Sequence, residues 1–448
     1  MIRCLLLALL CTATAHAQPS TSAVPDGLLG RWAGASIENG TPRLFELAFS
    51  TADDGSLRTE LTLPYNGYDR FPFAFTFTPG GAYDGVLTSD LFGDAMRLVV
   101  DLGEGHLRGT VTEGDSVTAR VHLQKVVAFD LPPIRVEDLT FTAGRDTLAG
   151  SLFLPVGAAR PPAVVLVAGR GYGARSEMSG WARLLARNGV AALAFDGRGT
   201  GRSTGDSDAV TGEDRFDDVR AALDALHTRG DLGPVGLMSN SAGGWIVPGM
   251  AAERDDVAFV VTLVGPAESL ADQQGHVTTA FMRASGERFS EAEYAEAFAY
   301  QRQTVVFAQA DAAWADFERI NAPARAARWS EHALIPDRLD DADLDYFRRR
   351  RAFAAPPWDR VRVPVLAVYG EDDPIVPPAD NVPRLRAALA ANPDVTVLVL
   401  PGADHSLARP VATVGEGAWP DRFYRPWTRS PLLFDTLVAW FGDRFGAP

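Results

Sequence analysis

From about residue 163 onward, short apolar runs alternate with helical stretches, and this alternation limits the possible folds more than any other feature of the sequence. Strands that are apolar on both faces belong to parallel sheets that helices cover on each side. We therefore expect an α/β fold with a mostly parallel sheet. The predicted strands are 164–168, 190–195, 235–238, 257–264, 365–369 and 395–400.

The region 28–127 has a different period, because apolar and polar residues alternate there and Asp-Gly, Gly-Gly and Glu-Gly pairs separate the runs. This pattern is typical of short antiparallel strands joined by tight turns. It predicts a smaller antiparallel β domain over 24–130, a sandwich or a small barrel, followed by a larger domain over 135–448. His106 and His122 are isolated in this region, and we interpret them as surface or sheet-face residues.

After the proline-rich linker at 131–133, two apolar runs flank Gly144-Arg145-Asp146 and predict a hairpin. About 100 residues then separate the run 257–264 from the run 365–369, far more than one crossover connection needs. We interpret 268–355 as a helical cap inserted over the sheet. Its arginine run, 348–351, is expected to be a solvated helix face, and a site for an anionic group of a substrate is the alternative.

The first 17 residues have the organisation of a secretory signal peptide, with an apolar stretch over 5–10 and a small-x-small cleavage site at 15–17. The only two cysteines, Cys4 and Cys11, lie inside this segment. The mature chain would therefore contain no disulfide, no thiolate nucleophile and no cysteine-bound metal. Two leucines precede Cys11, which argues against a lipid anchor, so we expect a periplasmic or extracellular protein.

The chain carries 57 acidic against 42 basic residues, a formal net charge of −15. An acidic chain has no electrostatic reason to bind nucleic acid or anionic lipid. We expect a small-molecule substrate, no nucleic-acid partner and no membrane anchor, and the sequence leaves the oligomeric state open.

The turn after the predicted strand 235–238 contains the candidate nucleophile. A strand that turns sharply into a helix needs small residues two positions before and two positions after an exposed nucleophile. Ser241 meets this requirement because Ser239 and Gly243 flank it, whereas Ser239 would have Leu237 at a position that must be small. A structural glycine-rich turn is the alternative interpretation.

A serine hydroxyl needs a base, and the base needs an orienting carboxylate. His405 follows the predicted strand 395–400, and three adjacent acids follow the predicted strand 365–369. We favour Asp373 among them because Pro374 would fix its turn, and Asp372 is the fallback. The alternative interpretations are that His405 is an ordinary loop histidine and that the three acids form a solvated loop. All three candidates follow parallel strands, so we expect them at one edge of the sheet, in the order nucleophile, acid, histidine.

Acyl transfer also needs hydrogen-bond donors for the developing oxyanion. We expect the backbone N–H of Ala242, directly after the nucleophile, and that of Arg170, in the glycine-rich loop 167–173. The glycines of this loop could suggest a dinucleotide site, but the third comes one residue early for G-x-G-x-x-G. We expect the loop 196–203 to have a structural role, in which its arginines and aspartate brace a tight loop near the site. Direct contact with the substrate is the alternative interpretation.

From residue 136 to its end, the chain resembles the α/β-hydrolase superfamily, in particular bacterial esterases related to dienelactone hydrolases and serine aminopeptidases. The resemblance rests on the hairpin, on D-x-R-G-x-G-x-S at 196–203, on G-x-x-D-x-x-V-P at 370–377 and on G-A-D-H ending at His405. The chain departs from the family pattern twice: Ala168-Gly169 replaces His-Gly, and S-x-S-x-G replaces G-x-S-x-G.

The resemblance implies a hydrolase without metal or other cofactor, acting on carboxylic esters through an acyl-enzyme, and it places the family's acid on Asp373. A serine peptidase of the aminopeptidase or acylaminoacyl-peptidase type is the first alternative, because a triad alone does not distinguish esters from amides. A non-catalytic binding protein with the same fold is the second.

Overall fold

The computed structural model describes residues 27–446 apart from 39–40, 53–54, 64–67, 74, 80–84, 92–95, 104, 127–131, 171–172 and 411–426. The chain divides into two compact units, one of Met1–Leu63 with Arg70–Ala128 and one of Pro64–Asp69 with Phe129–Pro448. The predicted signal peptide and Leu131 of the predicted linker lie outside the described residues.

In the described residues, the N-terminal unit forms one antiparallel sheet of nine strands. The strands are β1 (Gly30–Glu38), β2 (Thr41–Thr51), β3 (Leu57–Leu63), β4 (Tyr68–Phe73), β5 (Thr76–Pro79), β6 (Gly85–Leu91), β7 (Met96–Gly103), β8 (His106–Glu113) and β9 (Ser116–Val126). Their order is β4-β3-β2-β1-β9-β8-β7-β6-β5, so pairing of β1 with β9 joins two meanders. The period-two pattern thus builds one continuous antiparallel sheet and not two separate sheets.

Side chains along β9 alternate between the core and the solvent, as period two requires. Val121 and Leu123 are buried, whereas Arg120 and His122 are exposed. His106 is exposed as well, so the interpretation of both histidines as surface residues is confirmed.

The second unit contains a sheet of eight strands within the described residues. The strands are β10 (Ile134–Ala143), β11 (Asp146–Pro155), β12 (Ala163–Val167), β13 (Ala191–Phe195), β14 (Val235–Asn240), β15 (Val260–Leu263), β16 (Val365–Gly370) and β17 (Val395–Leu400). The order is β10-β11-β13-β12-β14-β15-β16-β17; β10 and β11 form the predicted antiparallel hairpin, and β12 to β17 run parallel. Two short strands, β18 (Ala408–Pro410) and β19 (Trp427–Arg429), pair separately.

Helices cover both faces of this sheet. They are α1 (Ser176–Arg187), α2 (Gly212–His227), α3 (Val247–Glu253), α4 (Leu270–Ala284), α5 (Glu291–Gln309), α6 (Trp314–Ala326), α7 (Ala342–Arg348), α8 (Pro378–Ala388) and α9 (Pro431–Phe445). Val164 and Leu166 of β12 belong to the core under α1 and α9, and Val165 and Val167 to the core under α2, α3 and α8. The α/β architecture predicted from the strands apolar on both faces is confirmed.

The helical cap occupies the predicted place, because α4 to α7 lie between β15 and β16 in the chain. The helix α5 begins at a capping box, in which Ser290 and Glu293 satisfy each other's backbone N–H groups. No helix in the described part of the chain has both the length and the apolar character needed to cross a membrane.

Candidate active site

Ser241 lies in a sharp turn directly after β14, and its backbone has a left-handed conformation with φ of 48°. Such a φ costs a residue with a side chain on the order of 1–3 kcal/mol. Gly243 is required two residues later, because a Cβ there would lie 2.7 Å from the carbonyl oxygen of Val167 and 3.0 Å from the Cβ of Ser239. The strained turn and its small neighbours hold the serine hydroxyl at the carboxyl end of the sheet, the geometry that exposes a nucleophile.

The structure brings Ser241, Asp373 and His405 together, although Ser241 and Asp373 are 132 residues apart along the chain and Asp373 and His405 are 32 apart. His405 Nε2 lies 2.9 Å from Ser241 Oγ, and His405 Nδ1 lies 2.8 Å from Asp373 Oδ2. An ionised carboxylate only accepts hydrogen bonds, so Nδ1 carries the ring proton and donates a hydrogen bond to Asp373. The neutral ring then presents an unprotonated Nε2 to the serine hydroxyl, which donates to it.

Asp373 is fixed by the turn that follows it. Its Oδ1 accepts hydrogen bonds from the N–H groups of Ile375 and Val376 at 2.8 and 2.9 Å, and the residue is 3% exposed. Asp372, the fallback, has an exposed side chain, and its backbone N–H bonds to Ala403 in the histidine loop. The structure therefore places Asp373, and not Asp372, against the imidazole.

The environment of His405 raises its pKa above the usual value. Burial alone would lower the pKa, but the charge of Asp373, its hydrogen bond to Nδ1 and the charge of Asp404 together outweigh burial. Each of these carboxylates favours the protonated imidazolium. The imidazolium is the form that a base reaches after accepting a proton, so this environment suits a general base.

A buried arginine holds the loop that follows β12. Arg215 of α2 is 1% exposed, and its Nη2 donates to the carbonyl oxygens of Ala168 and Gly169 at 2.7 and 3.0 Å. The loop lies against Ser241, because a Cβ at Gly169 would be 3.3 Å from the Cβ of Ser241. In a trans peptide the C=O and the next N–H point in opposite directions. The Arg170 N–H therefore points away from Arg215.

Sequence reasoning missed Arg215, although a signal was present. It lies in phase with Val219 and Leu226 on the buried face of α2, where a charged residue is rare without a specific partner. A charged residue on an apolar helix face therefore indicates a polar contact that the sequence does not itself identify.

The loop 196–203 has the structural role that the sequence predicted. The Asp196 carboxylate accepts hydrogen bonds from the backbone N–H groups of Arg175 and Arg202. Arg198 donates to Asp214 and Asp218 of α2 at 2.7 Å each. These contacts connect the ends of β13, α1 and α2 under the site.

A second histidine–carboxylate pair lies at the start of the cap and was also missed. Glu268 is 2% exposed, and its Oε2 lies 3.2 Å from His276 Nε2. Asn381 Nδ2 donates to Glu268 Oε1 at 3.2 Å. Burial would lower the pKa of His276, but Glu268 and, more weakly, Asp380 and Asp272 raise it above the usual value.

With this geometry established, comparison with known proteins identifies the class. A family model described as the alpha/beta hydrolase family matches residues 164–416, more than half of the chain. The chain belongs to the alpha/beta hydrolase family, which confirms the resemblance stated from the motifs. No curated protein sequence matches the chain.

Several solved structures are similar to this chain. An esterase of Pyrococcus furiosus, Pf2001, has 16% sequence identity and a TM-score of 0.41, with 71% of this chain and 96% of that chain covered. Est1E of Butyrivibrio proteoclasticus, solved with ferulic acid bound, has 18% identity and a TM-score of 0.39, with 60% and 90% covered. A puromycin hydrolase has 16% identity and a TM-score of 0.45, with 94% of this chain and 54% of that chain covered.

Proposed function

We propose that this chain is a serine hydrolase that cleaves carboxylic esters through an acyl-enzyme. The observation that carries the proposal is the hydrogen-bonded series Asp373–His405–Ser241, with heavy-atom distances of 2.8 and 2.9 Å. A neutral imidazole at hydrogen-bond distance from a serine hydroxyl can remove its proton as the oxygen attacks a carbonyl carbon.

In the first half-reaction, Ser241 Oγ bonds to the ester carbonyl carbon and its proton moves to His405 Nε2. The alcohol oxygen leaves with that proton, and the acyl group remains on Ser241. In the second half-reaction, water loses a proton to His405 and attacks the acyl carbon. The imidazolium then returns the proton to Ser241 as the carboxylic acid is released. Asp373 remains ionised throughout and stabilises the imidazolium.

The oxyanion formed in each half-reaction needs donors, and we assign the N–H groups of Ala242 and Arg170 to this role. Ala242 follows the nucleophile in its turn. The contact of Arg215 with the Gly169 carbonyl supports the assignment of Arg170, because it fixes the peptide plane that carries this N–H. A guanidinium on the carbonyl side also polarises the peptide, which strengthens the N–H as a donor.

We also propose that the protein is exported, to the periplasm or beyond, and acts there on a small-molecule ester. This rests on the sequence of the first 17 residues. A cell-fractionation experiment with the full chain tests it: the expected product outside the cytoplasm is a chain shortened by 17 residues, and an unprocessed cytoplasmic chain would contradict export.

The function is tested with the purified chain and a matched pair of substrates, 4-nitrophenyl butyrate and the corresponding butyric 4-nitroanilide. The ester should be hydrolysed with burst kinetics, and a fluorophosphonate probe should label Ser241. Faster turnover of the anilide would favour the peptidase alternative. No turnover of either substrate and no labelling would favour a binding protein that keeps only the fold.

A further inference from the structure

Two arginines from different parts of the second unit share one aromatic ring. The guanidinium carbon of Arg170, in the loop after β12, lies 4.8 Å from the centroid of the Tyr346 ring in α7. That of Arg350, just after α7, lies 3.6 Å from the same centroid. Cations at these distances are held by the electron-rich face of the ring. The cap and the loop beside the nucleophile therefore meet at this group.

The group lies beside the proposed active site. Arg170 directly follows Gly169, whose backbone lies against Ser241. On the cap side, Phe353 stacks on Trp245, in the turn that begins at Ser241, with ring centroids 5.2 Å apart and planes 14° apart. Phe353, three residues after Arg350, thus packs on the last residue of the turn that begins at Ser241.

Neither guanidinium has a carboxylate oxygen within 4.0 Å in the part of the chain that the structure describes. The other members of the same arginine run do have one: Arg348 and Arg351 pair with Asp311, and Arg349 pairs with Asp345 at 2.9 Å. The expectation of a solvated helix face therefore fits Arg351, which is half exposed, and does not fit Arg350, which is partly buried.

The pKa of Arg350 is lowered by its surroundings. Burial has the largest effect and Tyr346 opposes it, while the charges of Arg170 and Arg349 lower the pKa further against a smaller opposing effect of Asp345. Burial and the charge of Asp341 raise the pKa of the Asp343 carboxyl group, and the charge of Arg170 only partly opposes them. Because the charge of Arg170 lowers the pKa of Arg350, the two cations repel each other, and an anion that contacts both would relieve this repulsion.

We propose that Arg170 and Arg350 form a subsite for a carboxylate carried by the substrate. The preferred substrates would be esters with a free carboxylate a few bonds from the scissile carbonyl, such as monoesters of dicarboxylic acids. Guanidinium groups bind carboxylates through two parallel hydrogen bonds, which gives orientation as well as affinity. The net charge of −15 would repel such a substrate at long range, so a local cation pair is needed to bind it. This inference rests on the proposed esterase function.

Two isosteric pairs of substrates test the inference. In the first pair, monoethyl adipate carries a carboxylate on its acyl part where ethyl hexanoate carries a methyl group. In the second pair, the butyrate ester of 4-hydroxybutyrate carries the carboxylate on its alcohol part where butyl butyrate carries a methyl group. For at least one pair, kcat/KM should be at least about tenfold higher for the charged ester than for the neutral one, and a tenfold ratio corresponds to about 1.4 kcal/mol. The preference should decrease as salt increases, because ions screen it.

The variant Arg350→Met should remove most of this preference by raising KM for the charged ester, while turnover of the neutral ester remains. Arg349→Met is the matched control, because Arg349 pairs with Asp345, and it should leave the preference unchanged. Arg350→Lys keeps the charge without the planar fork and should keep part of the preference, so it replaces Arg350→Met if that variant does not fold.

Hydrolysis of neutral esters with no preference in either pair would overturn the subsite and leave the esterase function standing. An equal loss of preference in Arg349→Met would overturn it too, because a general loss of positive charge would then explain the result. No hydrolysis of any of the four esters would instead remove the proposed function.

Discussion

Among the histidine–carboxylate pairs in the described part of the second unit, His405–Asp373 and His276–Glu268 are alike in most respects. The distance is 2.8 Å between His405 and Asp373 and 3.2 Å between His276 and Glu268. Both carboxylates belong to buried residues, and in both pairs the carboxylates raise the pKa of the imidazole above its usual value. Burial and an acidic partner therefore do not by themselves identify a catalytic histidine.

The difference lies in which imidazole nitrogen faces the carboxylate. His405 uses Nδ1, which leaves Nε2 at 2.9 Å from Ser241 Oγ. His276 uses Nε2 itself for its carboxylate, and its ring lies edge-on to Phe298 at 5.0 Å. A base needs one nitrogen for its orienting acid and the other for the nucleophile. His405, which follows a strand end, has both of these partners in Asp373 and Ser241.

The largest effect is expected from Ser241→Ala, because it removes the proposed nucleophile, whose hydroxyl contacts His405 of the first pair. Ester turnover should fall by on the order of 10⁶-fold, as in serine hydrolases that lose their nucleophile, while the melting temperature stays close to that of the wild type. The measurement is the steady-state rate on 4-nitrophenyl butyrate.

Ser239→Ala is the control for this variant. Ser239 lies two residues earlier, is fully buried and donates to Thr262 Oγ1 at 3.0 Å. It should retain turnover within a few fold. If Ser241→Ala kept the wild-type rate, the series Asp373–His405–Ser241 would be a structural network like that of His276.

Asp373→Asn is expected to have the next largest effect. The amide would leave Nδ1 without its acceptor and favour the wrong tautomer of His405, a change that costs about 10⁴-fold in kcat in a related triad. Asp372→Asn is the matched control, since its side chain is exposed and does not contact the imidazole. Similar losses in the two variants would contradict the assignment of Asp373.

These contrasts show what the sequence could and could not predict. Ser241, Asp373 and His405 follow predicted parallel strands, and the carboxyl ends of such strands meet at one edge, so their proximity follows from topology. The contact of Arg215 with Ala168 depends on the rotation of α2 over the sheet, which no local pattern specifies. The number of sheets in the N-terminal unit was also open, because a sandwich and one continuous sheet have the same period of two.

Arg215→Met should have a smaller effect than the triad variants. It would release the carbonyls of Ala168 and Gly169, so the Arg170 N–H would lose its fixed direction. We expect kcat to fall roughly ten- to hundredfold with little change in KM, less than the 10²–10³-fold that loss of a whole donor can cost. Arg215→Lys should restore part of kcat.

Arg220→Met serves as the control for Arg215→Met, because Arg220 lies on the same helix with a side chain 41% exposed. A rise in KM at unchanged kcat in Arg215→Met would contradict a role in positioning the oxyanion donor.

The pH profile of kcat/KM should depend on the carboxylates around His405. The imidazole must be neutral to accept a proton, so activity should rise with pH, with a midpoint above the usual histidine pKa of about 6.5. Asp404 helps to raise this pKa, so Asp404→Asn should move the midpoint to lower pH. His276→Gln is the control and should not move it. A midpoint that moves to higher pH in Asp404→Asn would contradict this electrostatic account.

His276→Gln should have the smallest effect on turnover and a measurable effect on stability. Loss of the contact with buried Glu268 should cost about 1–3 kcal/mol of unfolding free energy. Because the folded-state pKa of His276 is raised, the ionic part of its contribution is fully present below the unfolded value of about 6.5, and it is lost as pH rises through the folded value. Urea unfolding at pH 5.5 and pH 9 should therefore show a larger difference from the wild type at pH 5.5. An equal difference at both pH values would mean that the His276–Glu268 pair contributes through a neutral hydrogen bond, and a large loss of kcat would place His276 in the active site after all.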